Sequence, residues 1–111
     1  MSLDFYRAKS KDEINFNEEF VSLEEELQQF LYKNRDRIRY DTECIYKIDP
    51  YGDTELDCCN IKKIMNLCVA LQTEECLSDY EEEDAVDVFS DLEQLCKNAI
   101  EGDQNIFAIG D

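Results

Sequence analysis

The sequence predicts an α+β fold, a small sheet of about three strands packed with three amphipathic helices in the order β-α-β-α-α-β. Three observations carry that expectation. Two segments alternate apolar and polar side chains with a period of two, three others repeat their apolar residues near i, i+3, i+4 and i+7, and an apolar run closes the chain. One Pro and three Gly leave few breaks, and no repeat or linker divides the sequence, so residues 1–111 read as a single domain.

Leu3–Ala8 is the first strand, because Leu3 and Phe5 alternate with Asp4 and Tyr6, while Lys9–Asn17 has no period. Ser22 followed by Glu25 has the form of a capping box, which starts a helix with the stripe Leu23, Leu27, Phe30 and Leu31 that ends by Asn34. Its other face carries Glu24, Glu25 and Glu26. Lys33, Arg35, Arg37 and Arg39 then occupy alternate positions, suited to an edge strand or a loop with solvated charges. Thr42–Asp49 is the second predicted strand, since Cys44, Tyr46 and Ile48 alternate with Glu43, Ile45 and Lys47, and Pro50 stops it.

Asp49, Pro50, Tyr51, Gly52, Asp53 and Thr54 make a tight turn by composition, with Pro50 presetting its φ and Gly52 expected at φ > 0. Asp57, or Thr54, caps the next helix over residues 57–73, whose stripe is Ile61, Ile64, Met65, Cys68 and Leu71. Leu67, Val69 and Ala70 widen that stripe, so this helix is expected to be covered on more than one side. After a loop anchored by Leu77, the charges of Glu81–Asp84 suit a helix N-terminus. The third helix follows Ala85, Val88, Phe89, Leu92, Leu95, Cys96 and Ala99, with Gly102 expected as its left-handed C′ residue. Ile106–Ile109 is too short and too apolar for an exposed tail and reads as a buried strand.

Charge and composition narrow the function classes. The chain holds 28 Asp and Glu against 11 Lys and Arg, a net charge of −17, and no His. Without His there is no Ser-His-Asp triad and no His-based zinc site. A strongly negative chain repels phosphate backbones and anionic headgroups, so direct nucleic-acid or membrane binding is not expected. No apolar run approaches the roughly 20 residues that span a bilayer. Met1–Asp4 shows no charged region leading into an apolar one, so a cytoplasmic location is expected. Six Cys at 44, 58, 59, 68, 76 and 96 include no C-x-x-C, and Cys68 and Cys96 fall on helix stripes, so the sequence predicts reduced, packed thiols. Nothing calls for a cofactor, a metal or a catalytic role. The carboxylates Asp49, Asp53, Glu55 and Asp57 gather around a turn, but their spacing does not follow an EF-hand loop.

The strongest signal is electrostatic. Between Ile64 and Cys96 there is no Lys or Arg, while ten acids occur, from Glu74 to Glu93. Glu81, Glu82, Glu83 and Asp84 lead into the third helix, where Asp84, Asp87 and Asp91 at i, i+3 and i+7 form one ridge. Read blandly, this is a solvated face. Read functionally, it is a docking surface for a basic protein partner.

Ile48-Asp49-Pro50-Tyr51-Gly52-Asp53-Thr54, with the terminal Ile106-Phe107-Ala108-Ile109-Gly110-Asp111, resembles a group of small acidic bacterial proteins in which an I-D-P-Y-G-D-T turn precedes a helix and an apolar I-G-D strand ends the chain. The resemblance spans roughly the last two thirds of the sequence and implies a bacterial cytoplasmic origin; the motif names no activity. Proteins of this size and charge include immunity proteins against secreted toxins, an analogy of type. The expected function is therefore that of an acidic interaction protein, an immunity-protein or antitoxin-like inhibitor of a basic partner. A nucleic-acid mimic is one variant. A small-molecule or ion-responsive domain using the Asp49–Asp57 turn is the alternative.

Overall fold

β1 (Ser2–Ala8) has the alternation expected of it and finds a partner along each edge: β2 (Val21–Glu24) on one side and β4 (Asn105–Gly110) on the other. A fourth strand, β3 (Asp53–Leu56), pairs with the far edge of β4. The structure, a computed structural model, describes residues 2–110 and is α+β, with an antiparallel sheet of four strands in the order β2-β1-β4-β3. The expected three-stranded sheet and its element order are corrected accordingly.

Leu3 and Phe5 face the same side as Leu23 and Val21 of β2 and Ala108 and Ile106 of β4, and there they meet the helices. α1 (Glu25–Lys33), α3 (Cys58–Leu71) and α4 (Ala85–Glu101) supply Leu27, Leu31, Ile61, Ile64, Phe89 and Leu92 to this one core. Phe5 and Phe89 are fully buried, and each such side chain contributes about 2–3 kcal/mol of transfer free energy. On the opposite face Tyr6 lies beside Phe107 in register. Phe16 and Phe20, from the β1–β2 connection, cover Tyr6 with ring centroids 5.0 and 5.2 Å away. That unperiodic stretch closes a sheet face that would otherwise be bare.

Several local expectations fail, each for a physical reason. Ser22 does not cap a helix: it lies in β2, because Val21 and Leu23 are worth more packed beside Phe5 and Leu3 than on a helix turn. The helix starts two residues later, after Glu24. Thr42–Asp49 is no strand but contains a short helix, α2 (Glu43–Tyr46). There the Asp41 carboxylate accepts the Glu43 N–H, and the buried Gln28 amide donates to the carbonyls of Ile45 and Ile48, each at 3.0 Å. β3 escapes notice in the sequence because three of its four residues are polar, as an edge strand allows. The left-handed residue after α4 is Asp103, with φ 53°, and not Gly102, with φ −88°. Gly52 has no positive φ either; a Cβ there would meet the Asp49 carboxylate at 2.9 Å. Lys33 ends α1, and residues 34–39 are a loop in which Arg35 lies over the Tyr32 ring.

Cys68, Cys76 and Cys96 are buried, Cys44 is half-buried, and Cys58 and Cys59 are exposed at the start of α3; none is joined to another. Burial pushes the Cys68 thiol up and the Cys96 thiol up to about 12, so neither is a nucleophile at neutral pH. Iodoacetamide under native conditions is expected to label Cys58 and Cys59 first, Cys44 slowly, and the other three only on unfolding. Mass spectrometry of a labelling time course checks this order, and rapid native labelling of Cys96 would contradict the packing. No helix among the described residues is long and apolar enough to cross a membrane.

Candidate functional site

The acidic run from Glu74 to Glu93 divides in the structure into carboxylates that serve the fold and carboxylates that do not. Arg39 reaches Glu74 at 3.4 Å, Arg37 reaches Asp79 at 2.8 Å and Lys97 reaches Glu93 at 2.8 Å. The alternating basic segment thus folds back on the turn Glu75–Asp79 and offsets its charge. Glu93 also accepts from the Gln72 amide, and these bonds, with Lys97 first, hold its carboxyl below the usual range. Asp84 is the N-cap of α4, accepting from the N–H groups of Val86 and Asp87 at 3.1 and 3.3 Å. The first member of the expected ridge is therefore a structural cap. Asp87 and Asp91 remain exposed on α4, one turn apart, with no ion pair among the described residues.

Tertiary packing adds acids to this surface. Tyr80, stacked edge-on against Phe30 at 5.3 Å, donates its hydroxyl to Glu24 Oε2 at 3.1 Å. That contact draws the start of α1 to the segment before α4. Glu24, Glu26 and Glu82 line one shallow opening with Ser2 and Ser22, and Glu26, Glu81 and Glu82 line a second beside Tyr80. A belt of Glu24, Glu26, Glu81, Glu82 and Glu83 therefore precedes α4, which carries Asp87 and Asp91 exposed farther along the chain. Glu24 and Glu26 were visible in the sequence only as the polar face of a helix, more than fifty residues from Glu81. The Tyr80–Glu24 contact brings them to the site.

Glu83 is the strained member of the belt. Its Oε1 is buried without a hydrogen-bond partner, and burial, then the nearby Glu24 charge, raises its pKa. The folded protein therefore binds this proton more tightly than the unfolded chain. The resulting stability is fully present below the ordinary carboxylate pKa and is lost as pH rises through the raised value. Glu83→Gln, with the same shape and no charge, is expected to raise stability by about 1 kcal/mol at neutral pH. The gain should shrink toward zero as both proteins are acidified. Thermal melts across this range are the check, and a pH-independent gain would assign the effect to hydrogen bonding instead of charge.

The Asp49–Thr54 turn does not assemble a comparable cluster. Asp49 accepts the Tyr51 N–H, Asp53 pairs with Lys11 at 2.9 Å, Glu55 accepts from Asn105, and Asp57 caps α3 through the Asn60 N–H. The Tyr51 hydroxyl donates to Glu25. The four carboxylates thus face four different partners, and among the described residues no group of His, Cys, Asp and Glu is arranged to hold a metal ion. Pro50, Gly52 and Thr54 supply backbone shape: the Gly110 N–H donates to the Gly52 carbonyl at 2.8 Å, and Thr54 pairs with Ala108. No protein-family model, curated protein or solved structure matches this chain.

Proposed function

We propose that this is an acidic interaction protein that docks a basic protein partner through Glu24, Glu26, Glu81 and Glu82 of the belt together with Asp87 and Asp91 of α4. The finer form of the proposal is an immunity-protein or antitoxin-like inhibitor acting in a bacterial cytoplasm. One observation supports it above the others. The fold spends Arg37, Arg39 and Lys97 on Asp79, Glu74 and Glu93, yet leaves these six carboxylates without an ion pair among the described residues. Like charges so placed repel one another in the free protein, and a basic surface relieves that repulsion on contact. The benefit is chiefly in association rate, because exposed charges act over a Debye length of about 8 Å at physiological salt.

The test begins with capture of a basic protein from the native organism at low salt and its release at high salt. With that protein in hand, Asp87→Asn and Asp91→Asn together should slow association about tenfold at low ionic strength. Dissociation and thermal stability should change little, since neither residue caps or pairs within the fold. Asp84→Ala serves as the contrast, expected to cost about 1 kcal/mol of stability through loss of the cap. Association that is unaffected by the double change would reduce the belt to a solubilising face.

A further inference from the structure

A groove of about 730 Å3 opens between α2 and α3, away from the acidic belt. Its volume falls in the range of small-molecule sites. One wall is a single stripe of α3, with Asn60, Lys63, Leu67 and Ala70 at i, i+3, i+7 and i+10. The stripe grades from polar to apolar over about 15 Å, of which Lys63 to Ala70 spans about 10 Å, given the helix rise per residue. Facing it are Cys44 and the half-exposed ring of Tyr40. Burial raises the Cys44 thiol, with Asp41 adding, so this part of the lining is neutral.

The charges around the groove are unequally committed. Asp41 accepts the Glu43 N–H at 3.0 Å, and Glu43 is paired with Lys47 at 3.3 Å. Lys63 has no ion pair among the described residues, and the side-chain amides of Asn60 and Asn66 have no hydrogen bond there. In a chain of net charge −17, an unpaired ammonium and the unused Asn60 amide therefore stand at one end of an apolar floor, with the Asn66 amide beside Leu67. Lys63 and the Asn60 amide complement an anion with an apolar body, while Asp41, the carboxylate of the lining without an ion pair, is engaged by the N–H at the start of α2.

We propose that this groove binds a small monoanion with a flat apolar body, an aromatic carboxylate. The carboxylate sits at Lys63 and Asn60, and the ring system lies between Tyr40, Leu67 and Ala70. A body of two fused rings with its carboxylate matches the roughly 10 Å from Lys63 to Ala70. The groove shares no residue with the acidic belt, so the site stands whether or not the belt docks a partner.

The probe is 2-naphthoate, titrated into the full chain and followed by amide chemical shifts, with 2-naphthylmethylamine as a cation of similar size. Naphthoate should give saturable shifts confined to residues 40–47 and 60–70, and the amine should give none there. Lys63→Gln should weaken naphthoate binding about tenfold. Lys63 is solvent-exposed, so this variant keeps the fold, and its unchanged melting temperature confirms that. Ala70→Phe, which fills the apolar end, should abolish the shifts. Absence of saturable shifts with naphthoate, equal binding by the amine, or undiminished affinity in Lys63→Gln would each overturn the proposal.

Discussion

Alanine at Gly110 is expected to cost about 2–3 kcal/mol of stability, a single added methyl group notwithstanding. A Cβ at this position would stand 2.5 Å from the Pro50 carbonyl oxygen and 2.8 Å from that of Gly52. Both obstacles are backbone, and neither can rotate away. The Gly110 N–H donates to that same Gly52 carbonyl at 2.8 Å, so any shift that relieves the clash also lengthens the bond joining the end of β4 to the turn before β3. For a domain of this size the loss corresponds to a fall of roughly 10 °C or more in melting temperature. Gly52→Ala is the internal comparison. Its Cβ meets only the Asp49 carboxylate, a side chain that can swing aside at the cost of its bond to the Tyr51 N–H, so a loss below about 1 kcal/mol is expected. Scanning calorimetry of the two variants decides the matter, and a Gly110→Ala protein as stable as the parent would mean that the turn and strand are not locked together.

Gln28→Leu should cost about 2 kcal/mol, although leucine is close to glutamine in size and far more apolar. Gln28 is 4% exposed, and its amide is the donor that holds the Ile45 and Ile48 carbonyls on either side of the end of α2. Leucine removes both bonds: the Ile45 carbonyl keeps the Ile48 N–H, but the buried Ile48 carbonyl loses its donor. It also removes Gln28 Oε1, which is buried without a partner, and that gain offsets part of the loss. The damage should be local before it is global. Hydrogen exchange at the Tyr46 and Lys47 amides, which donate to Thr42 and Glu43, should quicken by more than exchange in α4. Uniform exchange throughout the protein, with no stability change, would show that the Asp41 cap alone maintains α2.

The same two positions show how far the sequence could be read. The I-D-P-Y-G-D-T and I-G-D segments are visible as motifs, but their relationship is not, because nothing local in either one states that Gly110 abuts Pro50. The alternation over 42–49 is real, and it is also compatible with one helical turn that buries Ile45 and Ile48. A donor seventeen residues away resolves the ambiguity. β2 and β3 are four residues each, too short for a period to stand out, and the capping signal of Ser22 and Glu25 competes with the first of them. The candidate site was legible as a run of acids without a base. Which of those acids were already committed was not legible, since Arg37 and Asp79 are forty-two residues apart and Arg39 and Glu74 thirty-five.

By itself, the sequence determined the α+β class, the helices around Leu27, Ile64 and Phe89, the first and last strands, and the negative charge concentrated between Glu74 and Glu93. Each of these is written in a repeat of 2 or 3.6 residues or in a sum of charges, quantities that depend on neighbours along the chain. Tertiary structure alone decided the two edge strands, the helical turn at Glu43–Tyr46, the joining of Glu24 and Glu26 to the belt, and the groove between α2 and α3. Those depend on which backbone edge lies free, which buried amide lacks an acceptor and which carboxylate an arginine can reach, and all three are settled only when distant segments meet.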